Sequence, residues 1–287
     1  MDDVRPFVQA IHAVYPELVV ETAVFNQEGQ YNTVLIINDE LVFRFPRFAG
    51  GLEQLALETK ILTAVQPHLP LPVPNPIYQQ FAAPIGQAFM GYRLIPGEPL
   101  YPPAFRKITD KAALAVQIGH FLQALHGVPI RELVDEPLPV SDTEEEWWDV
   151  YGRIQTSLFP YMRLDACKEV AHHFESVLDD PTHYDFEPVL RHGDFGTGNL
   201  LHNPQNGQMS GIIDFGFTVL GDPAFDVAGL LIYGEPFVQE VARHYPAIQQ
   251  LWPRIWFYKG TFALFEALYG AENGDEEAFQ RGMEQYV

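Results

Sequence analysis

The chain has 287 residues, of which 47% are hydrophobic and 19% charged, a composition typical of a folded globular protein. Its 17 Lys and Arg residues against 38 Asp and Glu residues give a formal charge of −21, which argues against nucleic acid and against an anionic membrane surface as partners. A surface this acidic would attract a cationic small molecule, although solubility alone is a more frequent cause of such a charge.

The cysteine content and the hydropathy pattern bear on the cellular compartment. Cys167 is the only cysteine, so no internal disulfide can form and a reducing compartment is expected. No basic region followed by an apolar stretch occurs near Met1, and no apolar segment is long enough to span a bilayer. We therefore expect a cytoplasmic protein without a membrane partner, and we expect it to be a monomer.

The first third of the chain predicts a small α+β lobe over residues 1–95. Apolar and polar residues alternate between turn residues, as is typical of an antiparallel sheet. Asn38 and Asp39 are expected to form a turn between two strands, and a helix is predicted at residues 52–65. About five strands are predicted in this lobe, at residues 19–25, 31–37, 41–45, 77–81 and 88–95.

Beyond residue 95 the pattern changes from strands to helices. Residues 96–99 (PGEP) predict a connector within a hinge at about residues 91–99. Between residues 111 and 126 the apolar side chains recur at helical spacing. Residues 96–287 are thus expected to form a larger, mainly helical lobe. Its further helices are predicted to begin at Ser141 and to cover residues 166–178, 224–232, 236–244 and 252–269.

Two segments carry residues that suit metal-assisted phosphoryl transfer, residues 190–201 (LRHGDFGTGNLL) and residues 212–216 (IIDFG). Asp194 follows a short apolar strand and a glycine, as expected of a general base in a loop that opens to a cleft. Asn199 and Asp214 offer an amide oxygen and a carboxylate, which are ligands that Mg²⁺ prefers. Any single Asp here could be a turn residue, but the complete set in this order favours an active site.

A second pair of candidate residues lies in the small lobe. Arg44 stands among bulky apolar residues of a predicted strand, and Glu58 lies on the apolar face of the helix that follows. An inward carboxylate is costly unless it is paired, and Arg44 is the obvious partner. The alternatives are a purely structural ion pair, or an arginine on an edge strand that reaches solvent.

Together these segments resemble the aminoglycoside phosphotransferase family, a branch of the protein-kinase-like fold, and in particular the aminoglycoside 2″-phosphotransferases. The resemblance implies a bilobal fold in which residues 1–95 bind nucleotide and residues 96–287 carry catalysis and the substrate site. The matching segments are residues 41–47, Glu58, 70–74, 91–97, 192–201, 212–216 and 268–270.

The resemblance also assigns roles to particular residues. It implies that Asp194 is the catalytic base, that Asn199 and Asp214 hold Mg²⁺, and that Arg44 and Glu58 position the nucleotide phosphates. Such kinases normally use Lys where this chain has Arg44. Guanidinium keeps the charge and can grip phosphate bidentately, so phosphate binding should survive, although its larger fork needs a slightly different pocket.

Nucleotide recognition is implied for a loop and a short segment. The loop at residues 26–32 would cover the phosphates, with Gly29 as its single glycine. Tyr92 is expected at the back of the purine pocket, with backbone hydrogen bonds to the base from Arg93 and Leu94. A bulky residue at this place tends to disfavour adenine, which makes GTP a candidate donor. The expected phosphoryl donor is thus ATP or GTP. Tyr92 could instead be simply a buried strand aromatic.

The acceptor is expected to be a cationic amino sugar, and most plainly an aminoglycoside, which would make the protein an antibiotic-resistance kinase. Glu235, Glu240 and Glu266 are candidates for contact with that substrate. Asp226 is expected either to cap the next helix or to brace the catalytic loop. The alternatives to an aminoglycoside kinase are a kinase of the same family acting on a macrolide, an amino alcohol or a ribose-type metabolite, and a nucleotide-binding protein that does not catalyse.

Overall fold

The computed structural model describes residues 3–26 and 32–287. The strands are β1 Ala23–Asn26, β2 Asn32–Ile37, β3 Leu41–Pro46, β4 Tyr78–Gln80, β5 Phe89–Arg93, β6 Glu98–Pro99, β7 Val189–Arg191, β8 Leu200–His202, β9 Met209–Ile212 and β10 Val219–Gly221. The α-helices are α1 Arg5–Val14, α2 Ala49–Val65, α3 Pro102–Lys107, α4 Lys111–His126, α5 Ile130–Leu133, α6 Glu144–Ser157, α7 Leu164–Leu178, α8 Pro223–Gly229, α9 Glu235–Ala242, α10 Trp252–Asn273 and α11 Glu276–Met283. Short 3₁₀ turns lie at Gln66–His68, Phe159–Tyr161, Pro181–Tyr184, Leu230–Tyr233 and Pro246–Gln250.

These elements divide into two compact units. The first contains Met1–Pro137 and Thr197–Thr218, and the second contains Leu138–Gly196 and Val219–Val287. The segment that follows Gly196, with β8 and β9, thus belongs to the first unit. The lobe boundary after residue 95 stays a prediction. Within the described residues, no helix combines the length and apolar character needed to cross a membrane.

The first unit is built on an antiparallel sheet, as predicted. Within the described residues the sheet has five strands in the order β1-β2-β3-β5-β4. The β2–β3 hairpin turns at Asn38 and Asp39, which adopt left-handed φ angles of 54° and 53°. Asn and Asp tolerate this conformation better than other non-glycine residues, which explains the choice of turn residues.

One hydrophobic cluster of this unit lies between the sheet and α1. Phe43, Phe45 and Phe89 are at most 1% exposed and pack with Ile11 of the helix. The phenyl rings of Phe43 and Phe89 meet edge to face, with centroids 5.5 Å apart. β8 and β9 form a second small sheet with β6, in the order β6-β8-β9. The pairing places Leu200, which follows Asn199, opposite Ile212, two residues before Asp214.

The second unit is mainly helical, and β7 and β10 form a short antiparallel pair within it. Trp147 of α6 is 2% exposed and packs against Phe257 of α10, with ring centroids 4.9 Å apart. Helices α10 and α11 approach closely because of Gly270, where an added Cβ would lie 2.3 Å from the backbone nitrogen of Phe279. Close packing of these two helices therefore accounts for the glycine in the matching segment 268–270.

Some predicted element boundaries were wrong. β1 begins at Ala23, four residues after its predicted start. Helix α6 begins at Glu144, and its N-cap is Thr143, whose hydroxyl accepts from the backbone N–H of Glu146 at 3.2 Å. Ser141, the predicted start, instead donates its hydroxyl to the Glu146 carboxylate at 2.7 Å. The helix therefore begins three residues after its predicted start.

Four α-helices had no predicted counterpart: α1, α3, α5 and α11. A signal for α1 was available, because Val4, Phe7, Val8 and Ile11 follow helical spacing. Helix α3 opens on two prolines and is six residues long, so its periodicity is too short to detect.

Candidate active site

The site in the first unit is centred on Arg44, the fourth residue of β3. All six residues of this strand are buried, and Arg44 itself is 8% exposed. Its Nη1 donates to Oε1 of Glu58 at 2.5 Å. Glu58 lies on the inner face of α2 and is 2% exposed. The predicted partnership between these two side chains is therefore confirmed.

The same guanidinium reaches Asp214, which follows β9. Arg44 Nη2 donates to Asp214 Oδ1 at 3.1 Å, and the Asp214 side chain keeps 45% exposure. Asp214 has a left-handed φ of 63°, a conformation that is uncommon for residues other than glycine. One arginine thus bridges the α2 acid and the carboxylate predicted to bind metal.

The electrostatics of this cluster follow from burial and from the three charges. Burial raises the pKa of Glu58, while the Arg44 charge opposes that rise. Burial alone would lower the pKa of Arg44, but the carboxylates of Glu58 and Asp214 outweigh it and raise that pKa. Arg44 is thus a permanent cation, a property needed for a group that grips phosphate.

Helix α2 also holds the segment after Asp214. The Glu58 carboxylate accepts from the backbone N–H of Phe215, and the Gln54 side-chain amide donates to the carbonyl of Gly216. Phe215 is 1% exposed. Sequence reasoning missed Gln54, although it lies four residues before Glu58 and hence on the same helix face.

Arg44 and Asp214 line a cavity of about 260 Å³ together with Asn199. Val42 lies two residues before Arg44 and so faces the cavity from the same side of β3. Much of the wall is apolar, which suits the flat face of a purine. The further lining residues are Asn26, Val34, Ile36, Tyr92, Leu94, Ile95, Tyr101, Gly198, Leu201 and Ile213. Ile95 and Tyr101 were not predicted as site residues.

The residues predicted to read the base are placed as follows. Tyr92 is 6% exposed and lines the cavity, and burial raises its pKa to about 12, so the phenol is neutral. Leu94 also lines the cavity, but its backbone N–H donates to the Glu40 carbonyl at 2.8 Å. The Leu94 N–H is therefore already engaged and would have to exchange partners to bind a base. Arg93 is exposed at the end of β5, and Gly29 lies outside the described residues.

Asn199 and Asp214 suit a hard divalent cation. Both are oxygen donors on the wall of the same cavity, and the backbone N–H of Ile213 donates to the Asn199 carbonyl at 3.0 Å, which ties their segments together. Mg²⁺ prefers carboxylate and amide oxygens and is usually held by few protein ligands. The donor set therefore fits Mg²⁺.

Asp194 lies in the second unit, in a loop whose backbone is held by side chains of that unit. The backbone N–H of Asp194 donates to Nδ1 of His192 at 3.2 Å, so His192 braces the loop. Asp226 is fully buried; its carboxylate accepts from the backbone N–H of His192 at 2.7 Å and from that of Gly193 at 2.9 Å. The N-cap of α8 is Asp222, so Asp226 braces the loop and does not cap the helix.

The acidic residues proposed for substrate contact lie in the second unit as well. Glu240 pairs with Arg243, and Glu266 accepts from Arg281 Nε at 2.7 Å. Glu235 accepts from Gln239 at 2.8 Å. A cationic acceptor would have to displace or share these partners, so their role as substrate contacts stays a prediction.

The fold matches solved structures of phosphotransferases. The GDP and kanamycin complex of APH(2″)-IIIa aligns over 99% of this chain and 97% of its own length, with a TM-score of 0.90 and 23% identity. APH(2″)-Ib bound to ADP aligns over 96% and 95%, with a TM-score of 0.76 and 19% identity. Macrolide 2′-phosphotransferase type I aligns over 98% and 95%, with a TM-score of 0.76 and 22% identity. The fold is therefore that of the kinase-like antibiotic phosphotransferases, and the predicted α+β class is confirmed.

Sequence comparison reaches further than the fold. The profile of the phosphotransferase enzyme family matches residues 22–258. Viomycin phosphotransferase of Streptomyces vinaceus is 31% identical over 265 residues, covering 90% of this chain and 91% of that protein. The chain belongs to the phosphotransferase enzyme family, and the prediction of an enzyme that transfers phosphate to a hydroxyl group is confirmed.

Proposed function

We propose that this protein transfers the γ-phosphoryl group of ATP or GTP to a hydroxyl of a cationic, aminoglycoside-like antibiotic. The observation that carries the proposal is the bridge from Arg44 to both Glu58 and Asp214 on the wall of a cavity that Asn199 also lines. This arrangement provides a cation for the phosphates beside two oxygen ligands for a metal. Monomeric state and a cytoplasmic location belong to the same proposal.

The reaction would proceed by direct transfer. The acceptor oxygen forms a bond to the γ-phosphorus, the bond to the nucleoside diphosphate breaks, and the hydroxyl proton passes to the Asp194 carboxylate. Arg44 would hold the phosphates, and Asn199 with Asp214 would hold Mg²⁺. The bound metal would supply charge neutralisation on the phosphate oxygens. Tyr92 and Leu94, which line the cavity, would set the fit of the purine.

The acceptor class rests on the relatives and on charge. One relative is named for viomycin, and one solved neighbour holds kanamycin. The formal charge of −21 favours a cationic acceptor over a neutral one. A macrolide, an amino alcohol or a ribose-type metabolite would use the same phosphoryl-transfer residues and stays the alternative.

The proposal is tested by nucleoside diphosphate release from the purified protein with Mg²⁺. ATP and GTP are supplied in turn, with viomycin, kanamycin, a macrolide and a small amino alcohol as acceptors. Release that depends on viomycin or kanamycin, with mass spectrometry showing one added phosphate, is the expected result. Acceptor-stimulated release confined to the macrolide or the amino alcohol would overturn the proposed acceptor class. Nucleotide binding without any stimulated release would favour the non-catalytic alternative.

A further inference from the structure

A buried ion pair lies directly behind the catalytic loop in the second unit. Arg191 Nε donates to Asp142 Oδ2 at 2.8 Å, and Arg191 Nη2 lies 3.4 Å from Oδ1. The two residues are 6% and 2% exposed. The Arg191 guanidinium also stacks over the ring of Phe225, 4.1 Å from its centroid. The pair is thus almost fully removed from solvent.

Such a pair is a poor way to gain stability. Desolvation of two charges commonly cancels their attraction, so an apolar replacement of similar volume is often neutral or stabilising. Asp142 also adopts a left-handed φ of 63°, which costs a non-glycine residue additional free energy. Strain and buried charge at one residue call for a reason other than packing.

The chain connections supply that reason. Arg191 is the last residue of β7 and directly precedes His192, Gly193 and Asp194. Asp142 Oδ2 also accepts from the backbone N–H of Asp222 at 3.0 Å. Asp222 is the N-cap of α8, the helix that carries the loop brace Asp226. One carboxylate therefore ties together both supports of the loop: the strand that leads into it and the helix that holds its backbone.

The surroundings leave little room for this arrangement to shift. Gly221 of β10 lies against the pair, and an added Cβ there would stand 2.3 Å from Asp142 Oδ2 and 2.6 Å from Arg191 Nε. Asp222 is held in turn by Arg254 Nε at 2.5 Å and by the Tyr258 hydroxyl at 2.9 Å. The carboxylates of Asp142 and Asp222 are thus fixed from several sides.

We propose that Asp142 and Arg191 are positioning residues for phosphoryl transfer, which fix the backbone of residues 192–194 and thereby the direction of the Asp194 carboxylate. Neither residue touches substrate. The inference rests on the proposed role of Asp194 as the base.

The test compares Asp142→Asn with Asp39→Asn. Asn tolerates left-handed φ and keeps an acceptor for Asp222, so the first variant removes mainly the charge. Asp39 is also left-handed, at φ 53°, but is exposed in the β2–β3 turn and serves as the matched control. Asp194→Ala is the reference for loss of the base. Turnover is followed by nucleoside diphosphate release, and loop order by hydrogen exchange of a peptide covering residues 190–196.

Asp142→Asn should lower kcat by about 10- to 100-fold, because small misplacements of catalytic groups have effects of this size. The KM for nucleotide should stay within about threefold of wild type, because the nucleotide contacts are elsewhere. Exchange of the His192 and Gly193 amides should accelerate. Asp39→Asn should match wild type in all three measurements.

Wild-type kcat and unchanged loop exchange in Asp142→Asn would overturn the inference. A loss of kcat with a parallel rise in KM and a lowered Tm would also overturn it, because that result indicates general destabilisation. If Asp142→Asn does not fold, Arg191→Lys replaces it, since this variant keeps the charge but loses the planar fork. A lowered kcat with a nearly unchanged KM for nucleotide is again expected. Wild-type turnover in Asp194→Ala would instead overturn the assigned base. The exchange measurement would still decide whether the pair orders the loop.

Discussion

Arg44 donates to Asp214 Oδ1 at 3.1 Å while its other amino group donates to Glu58 at 2.5 Å. The planar guanidinium can reach two carboxylates at once, which the point charge of a lysine does less well. Arg44 therefore makes a double contact that the usual Lys would make less well, and its side chain couples α2 to the segment after β9. Four predictions test this arrangement and the other proposed site residues, and a fifth concerns the Asp142–Arg191 pair.

Arg44→Met should destabilise the fold by about 3 kcal/mol, because it leaves Glu58 buried without a partner. Urea denaturation measures the loss. Arg153→Met is the control, since it breaks the exposed pair with Glu272 and should cost about 1 kcal/mol or less. Arg44→Lys should keep most of the stability, with a kcat/KM for nucleotide within about tenfold of wild type. Equal destabilisation by Lys and Met would contradict this assignment.

Asp194→Ala should reduce phosphoryl transfer by about a thousandfold or more while nucleotide affinity changes by less than about twofold. The carboxylate accepts a proton in the transition state and has no expected contact with the nucleotide. Product release gives the rate and calorimetric titration gives the affinity. Turnover close to wild type would show that another group is the base.

Tyr92→Ala should shift donor preference toward ATP, raising the ratio of kcat/KM for ATP over GTP by about tenfold. The ring is 6% exposed on the cavity wall, so its removal enlarges the space for a purine. Tyr92→Phe keeps the ring and should leave the ratio nearly unchanged. An unaltered ratio in the alanine variant would mean that Tyr92 acts only as a core aromatic.

Asp226→Asn should lower both stability and turnover, because one of two backbone donors then faces an amide NH₂ in place of an oxygen. An unmatched buried donor costs about 1–3 kcal/mol, and the freed loop should reduce kcat. Asp275→Asn provides the comparison: Asp275 caps α11 by accepting from Ala278 at 3.0 Å, and Asn is a good cap. Its stability and turnover should match wild type. Wild-type stability and turnover in Asp226→Asn would rule out the bracing role.

The stability of the protein should depend on pH through Asp142. Burial raises its pKa from the ordinary 3.8 to about 6, although Arg191 opposes the rise; Asp222 and Glu146 also face it. Because the folded state then binds the proton more tightly than the unfolded chain, stability from this group is present below about pH 4 and lost as pH rises to about 6.

The size of this effect is about 3 kcal/mol. It is measured as the difference in unfolding free energy between wild type and Asp142→Asn, which should fall as pH rises from about 4 to 7 and stay level above. A difference that does not vary with pH would contradict the raised pKa. The ionised carboxylate therefore costs stability in the pH range where its positioning role is needed.

Much of the fold and of the site could be predicted from the sequence, for a physical reason. The antiparallel sheet follows from alternation with period two, and helix α4 from helical spacing that ends as predicted at residue 126. Glu58 could be paired with Arg44 in advance because an inward acid requires a cation, and Arg44 lies on the preceding strand. These are local patterns or simple charge requirements.

Other features depend on contacts that no spacing encodes. Asp226 is thirty-odd residues from the loop that it braces, and two roles remained open until its hydrogen bonds to His192 and Gly193 were seen. The bridge from Arg44 to Asp214 joins residues 170 positions apart. Helix α3 gave too short a pattern to detect.

The sequence by itself determined the class of chemistry, because catalytic and metal-binding side chains must stand in a fixed order in short segments of strand and turn. The tertiary structure alone decided which charges meet. Asp142 in a loop before α6 reaches Arg191 at the end of β7, and this contact arises from packing of distant segments whose side chains must be paired once they leave water. Local patterns predict elements and candidate residues, whereas partnerships between buried charges are set by the fold.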